Sequence, residues 1–208
     1  MARAFSLVDL LALVAVFAFL AVAVAYTQAP SRDVATRLNC YNNLQQIGLA
    51  YRTWEGDYGD LYPMSVPVTK GGSRESAAGP TLFRHYQVMS NEINNPNILV
   101  CPADDRSAAA NFAAMSNSNL SYFVGLDADE SLPAMILSGD RNLITNGQPV
   151  KPGLVSITLS DTVAFSDKIH NLVGNVGLAD GSVQRPDNTK VPAIFRNSRT
   201  NLTRLAVP

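Results

Sequence analysis

The sequence lacks an excess of either charge, because 16 Lys and Arg residues stand against 17 Asp and Glu residues among 208 positions. Proteins that bind nucleic acid by neutralising phosphates need a basic surplus, so we expect no nucleic-acid partner. Charged residues make up only 16% of the chain, where about 25% is typical of soluble domains. The shortage is concentrated at one end, since residues 1–26 carry only Arg3 and Asp9. The sequence therefore combines an apolar end with a neutral part long enough to form a hydrophobic core.

Recognisable catalytic motifs are also lacking. The sequence contains no G-x-S-x-G, no H-E-x-x-H and no glycine loop of the kind that binds phosphates. Its only cysteines and histidines are Cys40, Cys101, His85 and His170. They show no close C-x-x-C or H-x-x-x-H spacing, which disfavours a zinc site. We therefore expect a protein that is not an enzyme and needs no cofactor.

The apolar end is long enough to cross a membrane. Leu10–Tyr26 is an unbroken run of 17 apolar residues, and extension back to Phe5 gives 22 positions interrupted only by Ser6 and Asp9. At about 1.5 Å per helical residue, this length matches the roughly 30 Å of a bilayer's hydrocarbon core. The alternative is a cleaved secretory signal, since Ala23-Val24-Ala25 has the pattern of a cleavage site. The acid inside the apolar run favours a retained anchor.

Asp9 is the residue that points to a particular family. A carboxylate inside a membrane helix costs about 2.5–3.5 kcal/mol, so it usually has a partner or a function. The string Ala4-Phe5-Ser6-Leu7-Val8-Asp9 resembles the amino-terminal signature of type IV prepilins and type II secretion pseudopilins. The family prefers Gly and Glu where this chain has Ala4 and Asp9.

This resemblance implies three events at the amino terminus. A prepilin peptidase would cleave after Ala4, the new terminus at Phe5 would be methylated, and Asp9 would pair with the terminal amine of a neighbouring subunit. The chain would then consist of a leader at residues 1–4, a transmembrane anchor helix at 5–30 and a periplasmic domain at 31–208.

A helical pattern resumes after Pro30. Apolar residues recur at spacings of three and four, which is the period of one helix face. They are Leu38, Tyr41, Leu44, Ile47, Tyr51 and Trp54. Gly56 and Gly59 then provide a stop signal. We predict one helix over residues 5–55, about 75 Å long, with a membrane half and an amphipathic half that packs on a core.

Three further strings are similar to segments of a pseudopilin-like family abundant in planctomycetes and verrucomicrobia. They are C-x-N-N-L-x-Q-I-G-L-A at residues 40–50, Cys101-Pro102-Ala103-Asp104, and an H-x9-D-G motif formed by His170, Asp180 and Gly181. The resemblance implies an α+β fold of lollipop shape. Its long amino-terminal helix would pack on a small antiparallel β-sheet.

The two cysteines suggest one disulfide, Cys40–Cys101, if the domain is exported past the membrane. In the pilin-like arrangement both lie at the base of the same helix. Such a bridge closes a loop of about 60 residues and would stabilise the fold by roughly 4 kcal/mol. The alternative is two separate buried thiols.

The carboxyl-terminal third is predicted to be mostly β-strand. Apolar and hydroxyl residues alternate around Val155–Ser160, as in a half-buried strand. Asp180-Gly181 is predicted to form a type I′ turn between strands at Asn175–Ala179 and Ser182–Gln184. The other predicted elements are helices at Thr81–Ile93 and Val191–Arg199 and strands at Leu120–Gly125, Met135–Leu137, Thr162–Ser166 and Leu202–Val207.

Two groups of side chains suggest chemistry. His170 and Asp180 flank the predicted hairpin and could serve a membrane-tethered hydrolase; alternatively, Asp180 shapes the turn and His170 hydrogen-bonds a loop. Candidate calcium ligands on loops beside a predicted hairpin are Asp127, Asp129, Glu130 and Asp140. Major pseudopilins bind calcium in a loop, but the spacing here matches no EF-hand, and solvated acids are the alternative.

The resemblances imply a non-enzymatic pseudopilin or pilin-like subunit of a type II secretion or type IV pilus-like filament. It would cross the inner membrane once, with its domain in the periplasm or on the cell surface. Its partners would be the membrane, a prepilin peptidase, and copies of itself or of other pilin-like subunits. The alternative is a membrane-tethered periplasmic or surface domain that binds a glycan or another polymer and does not polymerise.

Overall fold

The computed structural model describes residues 6–198 and 201–208, with only the backbone described at 25–33. The chain divides into two compact units, Met1–Thr36 and Arg37–Pro208. Helix α1 (Leu7–Asp57) contributes to both units and includes Pro30. It begins and ends two residues later than predicted. The predicted processing site at Ala4 and Phe5 lies outside the described residues.

The first unit presents a fully exposed apolar helix surface. The segment Leu7–Val24 has a mean hydropathy of 2.8, and none of its 18 residues is buried by the chain itself. By length and composition it is able to cross a membrane, although a secretory signal near an amino terminus has the same properties.

The second unit is a mixed α+β domain. Its strands are β1 (Tyr122–Gly125), β2 (Ile136–Asp140), β3 (Leu143–Thr145), β4 (Gln148–Pro149), β5 (Gly153–Thr158), β6 (Val163–Phe165), β7 (Val176–Leu178), β8 (Val183–Gln184) and β9 (Leu202–Val207). They form an antiparallel six-stranded sheet in the order β5-β9-β1-β2-β7-β8 and a three-stranded sheet in the order β4-β3-β6. The short helices are α2 (Arg84–Gln87), α3 (Ser90–Ile93) and α4 (Val191–Asn197).

The α+β class is confirmed, but the prediction of one small sheet is wrong. Strands β3 and β4 were not predicted because they have only three and two residues, too few to show alternation. A signal was present, however. Asn146 and Gly147 connect them with φ values of 51° and 75°, which is the left-handed pair that a type I′ turn needs and that Asn-Gly accepts readily.

The hairpin at Asp180-Gly181 forms as predicted between β7 and β8, but with a different turn. Gly181 has a φ of 82°, whereas Asp180 is not in the left-handed region. The Gly181 N–H donates to the Leu178 carbonyl at 2.9 Å, and the Leu178 N–H donates to the Ser182 carbonyl at 2.8 Å. This is the three-residue loop in which a left-handed glycine follows a tight turn, and not the predicted type I′ turn.

The helix predicted at Thr81–Ile93 is interrupted. It forms two separate turns, α2 and α3, and Asn94 ends the second in a left-handed conformation with a φ of 60°. The helix predicted at Val191–Arg199 is present as α4, and the last predicted strand is present as β9.

The core lies on both faces of the large sheet. On one face, the buried side of α1 packs with alternate residues of the sheet: Leu44, Ile47, Tyr51, Trp54, Tyr122, Val124, Leu137 and Ala206. On the other face, residues of opposite orientation pack with the small sheet and α4: Phe123, Ile136, Val176, Leu205, Phe165, Val191 and Phe195. Leu38, which we predicted to belong to the same stripe, is 45% exposed, so the buried face of α1 begins near Cys40.

A disulfide joins Cys40 of α1 to Cys101, as predicted. The two Cα atoms lie 5.2 Å apart across 61 positions of sequence, and both residues are fully buried. Residues 102–121 follow and lead directly into β1. The bridge therefore ties the first buried turn of α1 to the segment that precedes the central strand of the sheet.

Loss of this bridge is expected to lower the free energy of unfolding by about 4 kcal/mol, because a loop of about 60 residues regains its conformational freedom in the unfolded chain. The comparison is the oxidised full-length chain against the Cys40→Ala/Cys101→Ala variant, both in detergent with a chelator. Fluorescence of Trp54, the single tryptophan and a buried one, reports unfolding in urea. Equal midpoints would contradict this account of the bridge.

Candidate functional site

Residues 170–186, which carry the predicted H-x9-D-G motif, lie along α1; we call them the helix-docking segment. Near the carboxyl-terminal end of α1, Arg52 donates to the Asp180 carbonyl at 3.1 Å. A Cβ atom on Gly48 of α1 would lie 3.4 Å from the Gly181 Cα. The helix and the hairpin turn are thus in van der Waals contact, and the left-handed φ of 82° at Gly181 favours glycine at that position.

Arg37, close to the start of the buried face of α1, forms a second contact between the helix and this segment. Its guanidinium donates to the carbonyls of Gly174, Arg185 and Pro186 at 3.4, 3.2 and 3.5 Å. With about 3.6 residues per turn, positions 37, 40, 48 and 52 fall on one side of the helix. The helix-docking segment therefore binds α1 along about four turns, beside the disulfide.

His170 begins this segment next to the disulfide. Its side chain is only 1% exposed, and its Nε2 atom lies 3.2 Å from Cys101 Sγ and 3.9 Å from Asp140 Oδ2. His170, Asn171 and Leu172 have φ values of 58°, 50° and 66°. Left-handed residues other than glycine cost roughly 1–2 kcal/mol each, so three in succession need support from the surrounding structure.

Asn142 supplies part of that support. Its Nδ2 atom donates to the carbonyls of Ser166 and Ile169, both at 2.9 Å, and the Leu172 N–H donates to the Ser166 carbonyl at 3.3 Å. Ile169, before His170, is therefore bonded to Asn142 in the turn after β2, and Leu172, after His170, is bonded to Ser166 at the end of β6. This fixes the imidazole against the disulfide.

Asp140 is the buried acid beside His170. It ends strand β2, whereas we predicted it on a loop, and it is fully buried. Its Oδ2 atom accepts from the Asn175 N–H at 2.7 Å and from Asn175 Nδ2 at 2.9 Å. Oδ1 has no hydrogen-bond partner in the described structure. Burial raises the pKa of Asp140 to about 7, against the opposing hydrogen bonds from Asn175.

The arrangement around His170 differs from a catalytic triad. In a triad the acid binds one ring nitrogen and the nucleophile the other. Here Cys101 and Asp140 both approach Nε2. Asp180, the other half of the predicted pair, has a different partner, because its Oδ1 atom accepts from the Ser182 N–H at 2.8 Å within an exposed turn. Its contact with Ser182 agrees with the turn-forming alternative.

The four candidate calcium ligands have separate partners. Asp127 binds the backbone N–H and the guanidinium of Arg204. Asp129 accepts from Ser131, Glu130 lies 3.5 Å from Arg52, and Asp140 is buried with Asn175. Among the described residues, only Cys40, Cys101 and His170 form a group of three or more potential metal ligands.

Asp9 has a local role that we did not predict. Its Oδ2 atom accepts from the Ser6 N–H at 3.0 Å, and Ser6 Oγ accepts from the Val8 N–H at 3.3 Å. This resembles a capping box, in which two residues three positions apart satisfy the free N–H groups of a helix start. The Ser6-Leu7-Val8-Asp9 string has a serine and an acid three positions apart, which is the sequence signal of such a cap.

No protein-family model, curated protein or solved structure matches the chain.

His85 is a second buried histidine, remote from the helix-docking segment in sequence. Its Nδ1 atom lies 2.7 Å from Ser73 Oγ, and its Nε2 atom has no hydrogen-bond partner within the described chain. Burial lowers the pKa of His85 to about 4. Because the unfolded histidine has a pKa near 6.5, the unfolded state binds more protons between these two values. Stability due to neutral His85 is therefore complete above about pH 6.5 and is lost as the pH falls toward 4.

The His85→Gln variant should lose this acid sensitivity. Relative to the variant, the native chain should become less stable by about 3 kcal/mol between pH 6.5 and 4. Asp140 contributes with the opposite sign, since its raised pKa favours the folded state at low pH, but it is present in both proteins and cancels. Urea unfolding followed by Trp54 fluorescence measures the difference, with His170→Gln as a second histidine control. A difference that does not vary with pH would refute the assignment.

Proposed function

We propose that this chain is a structural subunit of a pilin-like filament of the type II secretion or type IV pilus kind, anchored in the inner membrane. The observation that carries the proposal is the 18-residue apolar surface of Leu7–Val24, none of it buried by the chain, with an acid in its first turn. Such a surface needs either lipid or other helices around it. The acid in its first turn favours packing against other helices over surroundings of lipid alone.

Asp9 distinguishes a subunit from a simple anchor. Its hydrogen bond with the Ser6 N–H supports the helix start but does not neutralise the carboxylate. A charge in hydrocarbon is unfavourable by about 2.5–3.5 kcal/mol, and polar residues in membrane helices usually face a partner. The terminal amine of a neighbouring subunit, produced by cleavage after Ala4 and methylation at Phe5, would supply an opposite charge. An anchor surrounded only by lipid gains the cap at the helix start but leaves the charge of Asp9 without an opposite charge.

The domain is built to remain attached to α1. The Cys40–Cys101 disulfide, the three Arg37 hydrogen bonds and the contact of Arg52 with the hairpin turn all hold the same side of the helix. In a filament held together by its anchor helices, packing forces reach each domain through α1. A covalent bridge and distributed hydrogen bonds would resist detachment of the helix from the sheet. The predicted H-x9-D-G motif would serve this structural purpose.

A tethered binding domain is the second candidate function. The observation that favours it is a shallow groove on the domain with an uncharged, amide-rich lining: Asn39, Asn42, Asn43, Gln46, Asn97, Ile98, Val100 and Pro102. Amide groups donate and accept hydrogen bonds, as glycan hydroxyls require. The Asn43 amide already donates to the Val100 carbonyl at 3.1 Å. Part of the hydrogen-bonding capacity of this lining is therefore used by the chain itself.

The Asp9→Asn variant tests the subunit hypothesis. Asparagine keeps an oxygen that can accept from the Ser6 N–H but removes the charge. The variant should insert into membranes normally and lose crosslinked multimers by ~10-fold or more, since about 1.4 kcal/mol of lost pairing lowers an association constant tenfold. Membrane fractionation and crosslinking of the full chain in membranes measure the two properties.

Ser6→Ala is the matched control, because it removes the Oγ acceptor of the Val8 N–H and retains the charge of Asp9. This variant should keep the multimers. Multimers unaffected by Asp9→Asn would refute the charge-pairing role. A native chain that remains monomeric in membranes and binds a glycan would instead support the tethered binding domain.

A further inference from the structure

We propose that Cys40, Cys101 and His170 form a binding site for a thiophilic divalent cation such as Zn²⁺ when the disulfide is reduced. The sulfur and nitrogen ligand atoms of these residues all lie within 4.8 Å of one another. Two thiolates and an imidazole are ligands that zinc prefers. Sequence spacing gave no indication of this site, because the fold brings His170 to cysteines 69 and 130 positions away.

The distance from His170 to Cys101 is close to one edge of a tetrahedral zinc site. Zinc lies about 2.3 Å from sulfur and 2.0–2.2 Å from nitrogen or oxygen, so ligand atoms of a tetrahedron are separated by roughly 3.3–3.8 Å. His170 Nε2 is 3.2 Å from Cys101 Sγ, just below that range. Reduction breaks the covalent bond between the sulfurs and lets them separate, which is the main rearrangement that a shared cation requires.

Asp140 lies beside this group without belonging to it. Its Oδ2 atom is 3.9 Å from His170 Nε2 and accepts twice from Asn175, and its buried Oδ1 atom has no hydrogen-bond partner in the described structure. A cation bound by the two sulfurs and the imidazole would place a positive charge next to this buried carboxylate. The three ligands would leave a fourth position open, as in zinc sites with three protein ligands.

The backbone around His170 is consistent with a preformed ligand position. Three successive left-handed residues, His170, Asn171 and Leu172, direct the imidazole at the cysteines. Strained backbone of this kind is commonly found where a side chain must be held in place for a function.

The two states differ by a balanced redox step. A dithiol reductant supplies two electrons and two protons, converts the disulfide into two thiols, and becomes a disulfide itself. Cation binding then displaces the two thiol protons. In the reverse direction, a disulfide oxidant removes two electrons, the sulfurs rejoin and the cation is released. A newly made, reduced chain would thus hold a cation where the oxidised domain holds a covalent bond.

Cobalt(II) is a suitable probe, because thiolate coordination gives a charge-transfer absorption and tetrahedral geometry gives intense visible bands. The full-length chain in detergent is reduced in urea without oxygen, then refolded by dilution with Co²⁺. We expect one Co²⁺ per reduced chain, displaced by Zn²⁺, and none in the oxidised chain. Trp54 fluorescence checks refolding, and Zn²⁺ should raise the urea midpoint of the reduced chain only.

His170→Gln should weaken cation binding by more than ~10-fold, since even outer-sphere substitutions at metal sites cost 10–100-fold in affinity. His85→Gln is the matched control and should bind as the native chain does. The proposal is overturned if the reduced chain shows no thiolate–cobalt band, if the oxidised chain binds equally, or if His170→Gln binds with native affinity. Loss of binding confined to His170→Gln and to cysteine variants would support it.

Discussion

The exposed apolar surface of Leu7–Val24 constrains the surroundings in which this chain is stable. None of its 18 residues is buried by the chain, and apolar surface left in water costs about 25 cal/mol per Å². By length and composition the segment is able to cross a membrane, as a secretory signal also is. The same helix α1 continues into the second unit, where its buried face packs on the large sheet.

The second unit contacts its part of α1 at several points on one side of the helix. Cys40 is covalently bound to Cys101, Arg37 bonds three carbonyls, and the hairpin turn at Gly181 lies against Gly48. The same segment places His170 beside the disulfide. One short region of chain thus both contacts the helix and places an imidazole 3.2 Å from a sulfur of the disulfide.

Features set by local sequence were predictable here, and features set by long-range contacts were not. The length of α1, the buried stripe from Leu44 to Trp54 and the strand at Leu202–Val207 follow from periodicity. The pairing of Cys40 with Cys101 followed from there being only two cysteines. The position of His170 required three-dimensional information, because no spacing rule brings it to Cys101. The turn at Asn146-Gly147 and the cap formed by Asp9 had local signals that we overlooked.

Mass spectrometry of the amino terminus of the mature chain, isolated from its own membranes, separates a retained anchor from a removed signal. We predict a chain that begins with methylated Phe5 and retains Leu7–Val24, because the apolar segment would serve as a permanent intersubunit helix. A chain that begins near Tyr26 and is recovered in the soluble fraction would contradict this prediction, since neither Asp9 nor the apolar surface would then exist in the working protein.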